Sequence, residues 1–340
     1  MAALLAGVLS APVATASTSP GPVHRAPAPD RFVVAISVDG LNPGALRELG
    51  PELTPSFHRL VDRGAGTLNA RTAVEMTVTL PNHTGMLTGR RISTVTGHHI
   101  TFNTDSRQTD VHTQSGAYRA SLFDVVHDRG GRTALYTMKD KFAMFDRSWG
   151  PELGAPDRVG KDDGRDKIDR FVLGSAGTVT GKVVRQLRRN PFEASFVHLS
   201  LPDHAGHEHG FMGPEYLAAV EETDRHLGRI LDAVRSTRYL RRHVDVVLTA
   251  DHGGRGQHHG KASDPDNYTV PFFVWGVDVE PGADLYDLNP ERVDPGTGRP
   301  GYHLDPPIRN TDLASLVTTL LGHRAVPGGV LPGTQPLLVR

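Results

Sequence analysis

The sequence predicts an α/β protein: layers of helices on both sides of a central, mostly parallel sheet. Near-continuous apolar runs at 32–38, 244–249 and 270–275 have the pattern of strands buried on both faces. Between such runs lie amphipathic helical segments, the clearest at 216–234, where Leu217, Val220, Leu227, Ile230, Leu231 and Val234 share one stripe and the charges lie opposite. Strand-like and helix-like segments then alternate along the chain, which is the signature of a layered α/β fold.

The first residues stand apart. Residues 2–13 are small and apolar, and Ala14-Thr15-Ala16 has the small-x-small form of a signal-peptidase site. Residues 1–16 therefore read as a signal peptide, although the usual basic n-region is missing, and the mature protein is expected to be secreted or extracytoplasmic. The apolar stretch is too short for a spanning helix and Pro12 interrupts it. Residues 17–30, rich in Pro, Ser and Ala, read as a linker. Strand 32–38 opens the folded part, and Gly40 permits a sharp turn after it. A short helix is expected from Thr54 with Phe57, Leu60 and Val61 on one face, and a second is predicted over 81–87 with Pro81 near its first turn. Strands come at 134–137 and 195–201, then the helix 216–234, then strands 244–249 and 270–275. Asn310-Thr311-Asp312 is expected to cap a last helix through Leu321, which Gly322 ends. With no internal repeat, and with 162–169 and 281–300 as polar loops, the reading is one catalytic domain over 31–325 and a C-terminal tail over 326–340.

Composition narrows the function. A chain of 340 residues, 38% hydrophobic and 22% charged, can bury a large core. Its formal net charge is -1 and no run of like charges stands out, so there is no electrostatic footprint for nucleic acid or an anionic membrane. Cysteine is absent, which removes disulfides and thiolate chemistry and leaves any metal to carboxylates and the 18 histidines.

The candidate ligands come just after apolar runs. Asp39 stands directly after the first strand, where an open α/β sheet places its crevice, though a plain turn aspartate looks the same. Asp203 and His207, four apart with Gly206 between them, can aim at one ion from a loop or one helical turn; a solvated His-rich loop with His204 and His209 is the bland alternative. Asp251-His252-Gly253-Gly254 succeeds another strand, and the bland alternative there is a buried Asp-His hydrogen bond without metal. His258 and His259 lie in the same loop, and one of them is available to complete a second tridentate set. Thr77 and Thr79 precede the helix of Pro81 and Asn82, where backbone N–H groups favour a bound anion. Threonines in that place are usually only caps.

Taken in order, Val38-Asp39-Gly40, Thr79-Leu80-Pro81-Asn82-His83 with Thr88-Gly89, Asp203-x-x-Gly206-His207, Asp251-His252-Gly253 and His259-Gly260 resemble the alkaline phosphatase superfamily, and within it the type I phosphodiesterase/nucleotide pyrophosphatase branch, from about Phe32 to Gly322. The resemblance implies an alkaline-phosphatase-like fold and two divalent ions, zinc in that family. One would be held by Asp203, His207 and His259, the other by Asp39, Asp251 and His252 with the nucleophile Thr79 as a further ligand. His259 is preferred to His258 because the family histidine precedes glycine; its short distance from His252 resembles compact bacterial relatives. Asn82 matches the residue that helps hold a non-bridging phosphoryl oxygen. The resemblance further implies hydrolysis of phosphodiester or pyrophosphate bonds through a phosphothreonine, with a phosphomonoester or phosphonate ester as the alternative. A sulfatase is disfavoured, because Thr79-x-Pro-Asn stands where Cys/Ser-x-Pro-x-Arg is needed. The expected partner is a small phosphate ester, a nucleotide or a lipid headgroup. Phe102, Phe142, Phe211 and Tyr268 lie in loops from which a ring could stack on a base, although loop aromatics are more often local packing. A different class of reading is an exported metal- or carbohydrate-binding module without catalysis, for which Thr79 has no use.

Overall fold

Strand β1, Phe32–Val38, is buried along its whole length. In the computed structural model, which describes residues 30–105, 109–302, 306–329 and 335–340, it lies inside an eight-stranded sheet. The others are β2 (Ala65–Arg71), β3 (Thr133–Thr137), β4 (Arg170–Leu173), β5 (Ala194–Leu199), β6 (Val244–Thr249), β7 (Thr269–Trp275) and β8 (Ala283–Asp284), in the order β4-β3-β5-β1-β6-β7-β2-β8. The block β4-β3-β5-β1-β6 is parallel, whereas β7 runs antiparallel to both β6 and β2. Strands β1, β5 and β6 are buried at every residue, which explains why apolar residues stand at successive positions in them rather than at alternate ones. The signal-like segment 1–16 and the linker up to residue 29 lie outside the described residues. No helix among the described residues is long and apolar enough to cross a membrane.

Helices cover the sheet in two groups. The long helix Pro214–Arg235 packs against Ala176–Arg189, Leu201–His209 and Pro55–Arg63, while Asp312–Leu320 packs against Thr79–Thr88 and Leu122–His127. Polar groups lock this packing at defined points. The Asp224 carboxylate accepts the N–H groups of Ser56 and Phe57 at 2.8–3.1 Å, so one helix caps the N-terminus of another with a negative charge. Tyr216 donates its hydroxyl hydrogen to Gly40 O at 2.7 Å and accepts from Asn42 N at 2.8 Å, which pins the turn after β1.

Four details differ from the sequence reading. The segment 281–300, expected as a polar loop, holds β8 and the short helix Leu285–Leu288, because Leu285 is buried and Asp284 caps the helix by accepting from Tyr286 N. The strand expected over 195–201 ends at Leu199, because Leu201-Pro202 begins the helix Leu201–His209 and proline fits only its first turn. Asn310-Thr311-Asp312 does not cap the last helix as expected: Thr311 makes no side-chain cap bond, and the Asp312 carboxylate instead accepts from Arg309 N at 2.8 Å and from buried Arg292. The segment expected as a C-terminal tail is fastened to the domain. Val326 and Leu337 are buried, Leu338 exchanges two hydrogen bonds with the Asn289 amide at 2.7 and 2.9 Å, and Val339 O accepts from Glu280 N. Apolar Leu337 and the partner waiting at Asn289 are the physical reason.

Gly40 couples the central strand β1 to the helix Leu201–His209. Its φ of +72° belongs to the left-handed region, and a Cβ there would meet Asp203 Cα at 2.9 Å. Gly40→Ala is therefore expected to destabilise the fold by at least about 1–2 kcal/mol from the backbone alone, read as a lower urea midpoint in the presence of chelator.

Candidate metal centre and active site

The carboxyl ends of four adjacent parallel strands, β3, β5, β1 and β6, deliver Lys139, Asp203, Asp39 and Asp251 to one crevice. Asp39 comes directly after β1, and its N–H is held by Leu199 O at 2.8 Å. Asp203 lies on the first turn of Leu201–His209 with its N–H on Asp39 O at 3.1 Å, and His207 sits one turn later on the same helix. Asp251 and His252 lie just past β6. His259 returns from the next loop, clamped by two bonds to Thr77: its Nδ1 lies 2.7 Å from Thr77 O, and the Thr77 hydroxyl donates to His259 O. His258 stays exposed, its backbone paired with Arg255.

The histidines share one orientation logic. His207, His252 and His259 each place Nδ1 at 2.7–2.9 Å from a backbone carbonyl, of Gln257, Gly253 and Thr77 respectively. A carbonyl only accepts, so each Nδ1 carries the proton and each Nε2 presents a bare lone pair. Those Nε2 atoms converge: His207 and His259 lie 3.1 Å apart, and the rings of His252 and His259 stack at 3.6 Å. Burial, and next the neighbouring His259, hold His252 well below its ordinary pKa, so it stays neutral.

The carboxylates show the complementary arrangement. Each commits one oxygen to the protein: Asp39 Oδ2 takes Lys139 and His198, Asp203 Oδ2 takes Lys139, and Asp251 Oδ1 takes the N–H groups of Gly40 and His252. The other oxygen of each, Asp39 Oδ1, Asp203 Oδ1 and Asp251 Oδ2, is buried without a hydrogen-bond partner among the described residues. These orphans face the bare imidazole nitrogens, at 3.5 Å for Asp39 and 3.2 Å for Asp251 with His252, and at 3.4 and 3.8 Å for Asp203 with His207 and His259. Donor atoms of Asp39, Asp251 and His252 lie within 4.8 Å of one another, as do those of Asp203, His252 and His259. Lone pairs facing lone pairs in a dry site are repulsive unless a cation lies among them, so the donor set fits divalent metal. The two ligand sets implied by the family pattern are thus each brought together, with His252 between them and His207 on the half-exposed rim.

Lys139, which the sequence reading did not single out, bridges the two sets: its ammonium lies 2.5 Å from Asp39 and 2.6 Å from Asp203. Burial opposes its charge, but Asp39, Asp203 and Asp251 together raise its pKa. Burial likewise opposes the charge of Asp39, yet Lys139 and the His198 hydrogen bond hold its carboxyl well below the usual range. At Asp251, burial and the nearby Asp39 charge push the pKa up.

Thr79 opens the helix Thr79–Thr88, nearly fully buried, with Oγ1 3.5 Å from His252 Nε2. His83, one turn on, holds Thr79 O at 2.8 Å and the Ser37 hydroxyl at 2.8 Å, tying the helix start to β1. Asn82 is placed differently from its expected role. Its amide group donates to Met76 O and Val78 O and its oxygen accepts from Ala73 N and Asn310, so it braces the loop before Thr79 and has no donor left for a phosphoryl oxygen. The half-buried amide beside the threonine is Asn103, whose oxygen accepts from Leu80 N and Lys141, both at 3.1 Å. Asn103 escaped the sequence reading because nothing near it in sequence marks it.

Other expectations are redirected. Phe142 is buried against His83 and His198, Phe211 is buried behind His207 and His259, and Tyr268 is buried with its hydroxyl on Thr297 O, so none of these presents a free face for stacking; Phe102 is half-buried. Just past the Thr88-Gly89 motif, the side chains of Arg90, on Thr96 O and Pro327 O, and of Arg91, over Tyr302, serve the framework.

Comparison with known proteins runs along the same lines. The sequence matches the family described as type I phosphodiesterase / nucleotide pyrophosphatase over residues 33–261, and the chain belongs to that family. Among curated proteins it is similar to a 2,3-bisphosphoglycerate-independent phosphoglycerate mutase of Chromobacterium violaceum, 31% identical over 123 residues, covering 34% of this chain and 23% of the relative. It is also similar to GPI ethanolamine phosphate transferase 1 of Yarrowia lipolytica, 24% identical over 174 residues, covering 46% and 17%. The match thus spans less than a quarter of either relative's length. In fold it is similar to murine ectonucleotide pyrophosphatase / phosphodiesterase 5, solved as an inactive variant in complex with AMP, with a TM-score of 0.60 at 14% identity over 88% of this chain and 96% of that one. The human counterpart gives a TM-score of 0.58 at 14% identity over 87% and 96%.

His198 positions Asp39. Its Nδ1 accepts from Met138 N, which leaves Nε2–H to donate to Asp39 Oδ2 at 3.0 Å. His198→Ala is expected to weaken metal affinity by about 10–100-fold, measured by chelator competition. In the same titration His259→Ala should lose about one metal equivalent per chain, and His258→Ala none.

Proposed function

We propose that the chain hydrolyses phosphodiester or pyrophosphate bonds at a two-metal centre with Thr79 as nucleophile. The observation that carries this reading is the position of Thr79: a buried hydroxyl at a helix N-terminus, 3.5 Å from a bare imidazole nitrogen that belongs to both clusters of ligand atoms. A metal store has no use for it. Two divalent ions, zinc in the pattern the chain resembles, held by Asp203, His207 and His259 and by Asp39, Asp251 and His252, would lower the pKa of a hydroxyl and neutralise charge on a leaving oxygen. Thr79 Oγ1 then attacks phosphorus, the bond to the leaving oxygen breaks, and a phosphothreonine forms; water displaces the threonine from the opposite side, so two inversions give net retention. The Asn103 amide N–H, on a side chain whose oxygen is held by Leu80 N–H and Lys141, is the chain's donor beside Thr79 for a non-bridging oxygen.

The family match supports the diester or pyrophosphate class, and the AMP complex of the murine fold neighbour supports a nucleotide ester as the first substrate to assay. A monoester or phosphonate ester is the second reading. It is favoured by Lys139 and Lys141, ammonium groups at or near the cluster that can meet the extra negative charge. Export belongs to the same proposal, on the strength of residues 1–16; N-terminal sequencing of protein recovered from culture medium should begin at Ser17.

Bis-p-nitrophenyl phosphate should be turned over faster than p-nitrophenyl phosphate, with activity lost on chelation and restored by zinc; the reverse preference selects the monoester reading. Thr79→Ala should abolish turnover while metal stays bound, and wild-type activity in that variant would rule the mechanism out. Asn103→Ala should lower kcat by about 10²–10³ with the fold intact, whereas Asn82→Ala should chiefly lower stability.

A further inference from the structure

The sheet ends at β4, whose backbone is paired with β3 on one side and, among the described residues, with no strand on the other. Beside that edge a groove of about 550 Å³ runs between the strand and the helix Ala176–Arg189. Arg170, Phe171 and Val172 line it from the strand, and Lys182, Arg185 and Arg189 from the helix. Side chains alternate in a strand, so three consecutive residues can line one groove only where it runs along the backbone edge. The unused N–H and C=O groups of β4 therefore face it.

The cations are organised. Lys182, Arg185 and Arg189 share one helix face, at i, i+3 and i+7, and with Arg170 they are all exposed. Among the described residues none of the four forms an ion pair and no carboxylate lines the groove, although the chain as a whole carries a net charge of -1. Elsewhere on the surface cations do find acids, as in Arg225 with Glu222. Arg185 and Arg189 stand about 6 Å apart along the helix at ~1.5 Å per residue. That nearly equals the ~6.7 Å between same-side residues of a strand.

We propose that this edge docks an extended acidic segment of a partner protein, added to the sheet beside β4 with Asp or Glu at alternate positions facing the helix. Main-chain bonds to the strand edge would supply affinity, and the cationic row would supply selection for acidic sequence. A membrane fits less well, because the cations line a concavity that a flat anionic surface does not enter. Single-stranded nucleic acid fits less well too: Phe192 is 9% exposed and its ring is already covered by Arg132 and Arg170 at 4.6 and 5.2 Å.

The test is fluorescence anisotropy with a labelled octapeptide of alternating Glu and Val. It is run against the same peptide N-methylated at alternate amides, and beside phosphatidylserine vesicles. The parent peptide should bind, weaken as salt rises, and lose at least about tenfold in affinity on N-methylation and in the double variant Arg185→Glu, Arg189→Glu. Circular dichroism and the thermal midpoint of that variant should match the wild type. Equal binding of the N-methylated peptide would overturn strand addition and leave a bare charge contact. No peptide binding at millimolar concentration would overturn the proposal, and vesicle binding in its place would assign the groove to a membrane.

Discussion

Charge confined in a dry crevice is the constraint on which the rest of this structure depends. Asp39, Asp203 and Asp251 are buried, each with one oxygen left without a hydrogen bond among the described residues, and the bare nitrogens of His207, His252 and His259 point at the same space. One ammonium, that of Lys139, offsets three carboxylates. Burying charge without compensation costs several kcal/mol per ion, so the fold around the cluster has to be rigid enough to hold it and suited to cations. The tautomer of every histidine there is set by a backbone carbonyl or N–H rather than by another mobile side chain.

That rigidity comes from the sheet. Four neighbouring parallel strands end at the same level, and their ends are cross-tied: Asp39 N to Leu199 O, Asp203 N to Asp39 O, and Gly40 N to Asp251 Oδ1. Tyr216 and His83 extend the ties to helices on either side, through Gly40 O and Asn42 N in one case and Ser37 and Thr79 O in the other. A displacement of β1 would thus move a candidate metal ligand and the threonine together. Placing the hydroxyl at the first turn of a helix sets it at the positive end of the helix dipole, which suits the negative oxygens of a phosphoryl group.

The same sheet has two kinds of end. The crevice at its centre is crowded with acids and imidazoles, whereas its β4 edge is open and flanked by unpaired cations. Each depends on bringing residues of like character together from a chain of nearly balanced charge, and each therefore marks a place where the fold supports something other than its own stability.

Strand and helix type were legible in the sequence wherever burial imposed a period. β1, β6 and the long helix Pro214–Arg235 fall where apolar runs and the 216–234 stripe put them, because buried surface selects side chains at fixed intervals. The candidate metal ligands were legible too: Asp39, Asp203, His207, Asp251, His252 and His259 carry distinctive chemistry, and the fold brings them to one crevice. Tertiary structure alone decided the contacts between groups distant in sequence and ordinary in type. Lys139 is one lysine among many until β3 sets it beside Asp39 and Asp203. Asn82, expected at a phosphoryl oxygen, is consumed by the hydrogen-bond needs of a loop, and Asn103, for which nothing in the sequence speaks, stands beside Thr79. The cationic groove arises only when the helix Ala176–Arg189 folds against a strand edge. Sequence spacing reports what one element presents, and distances across elements are set by how they pack.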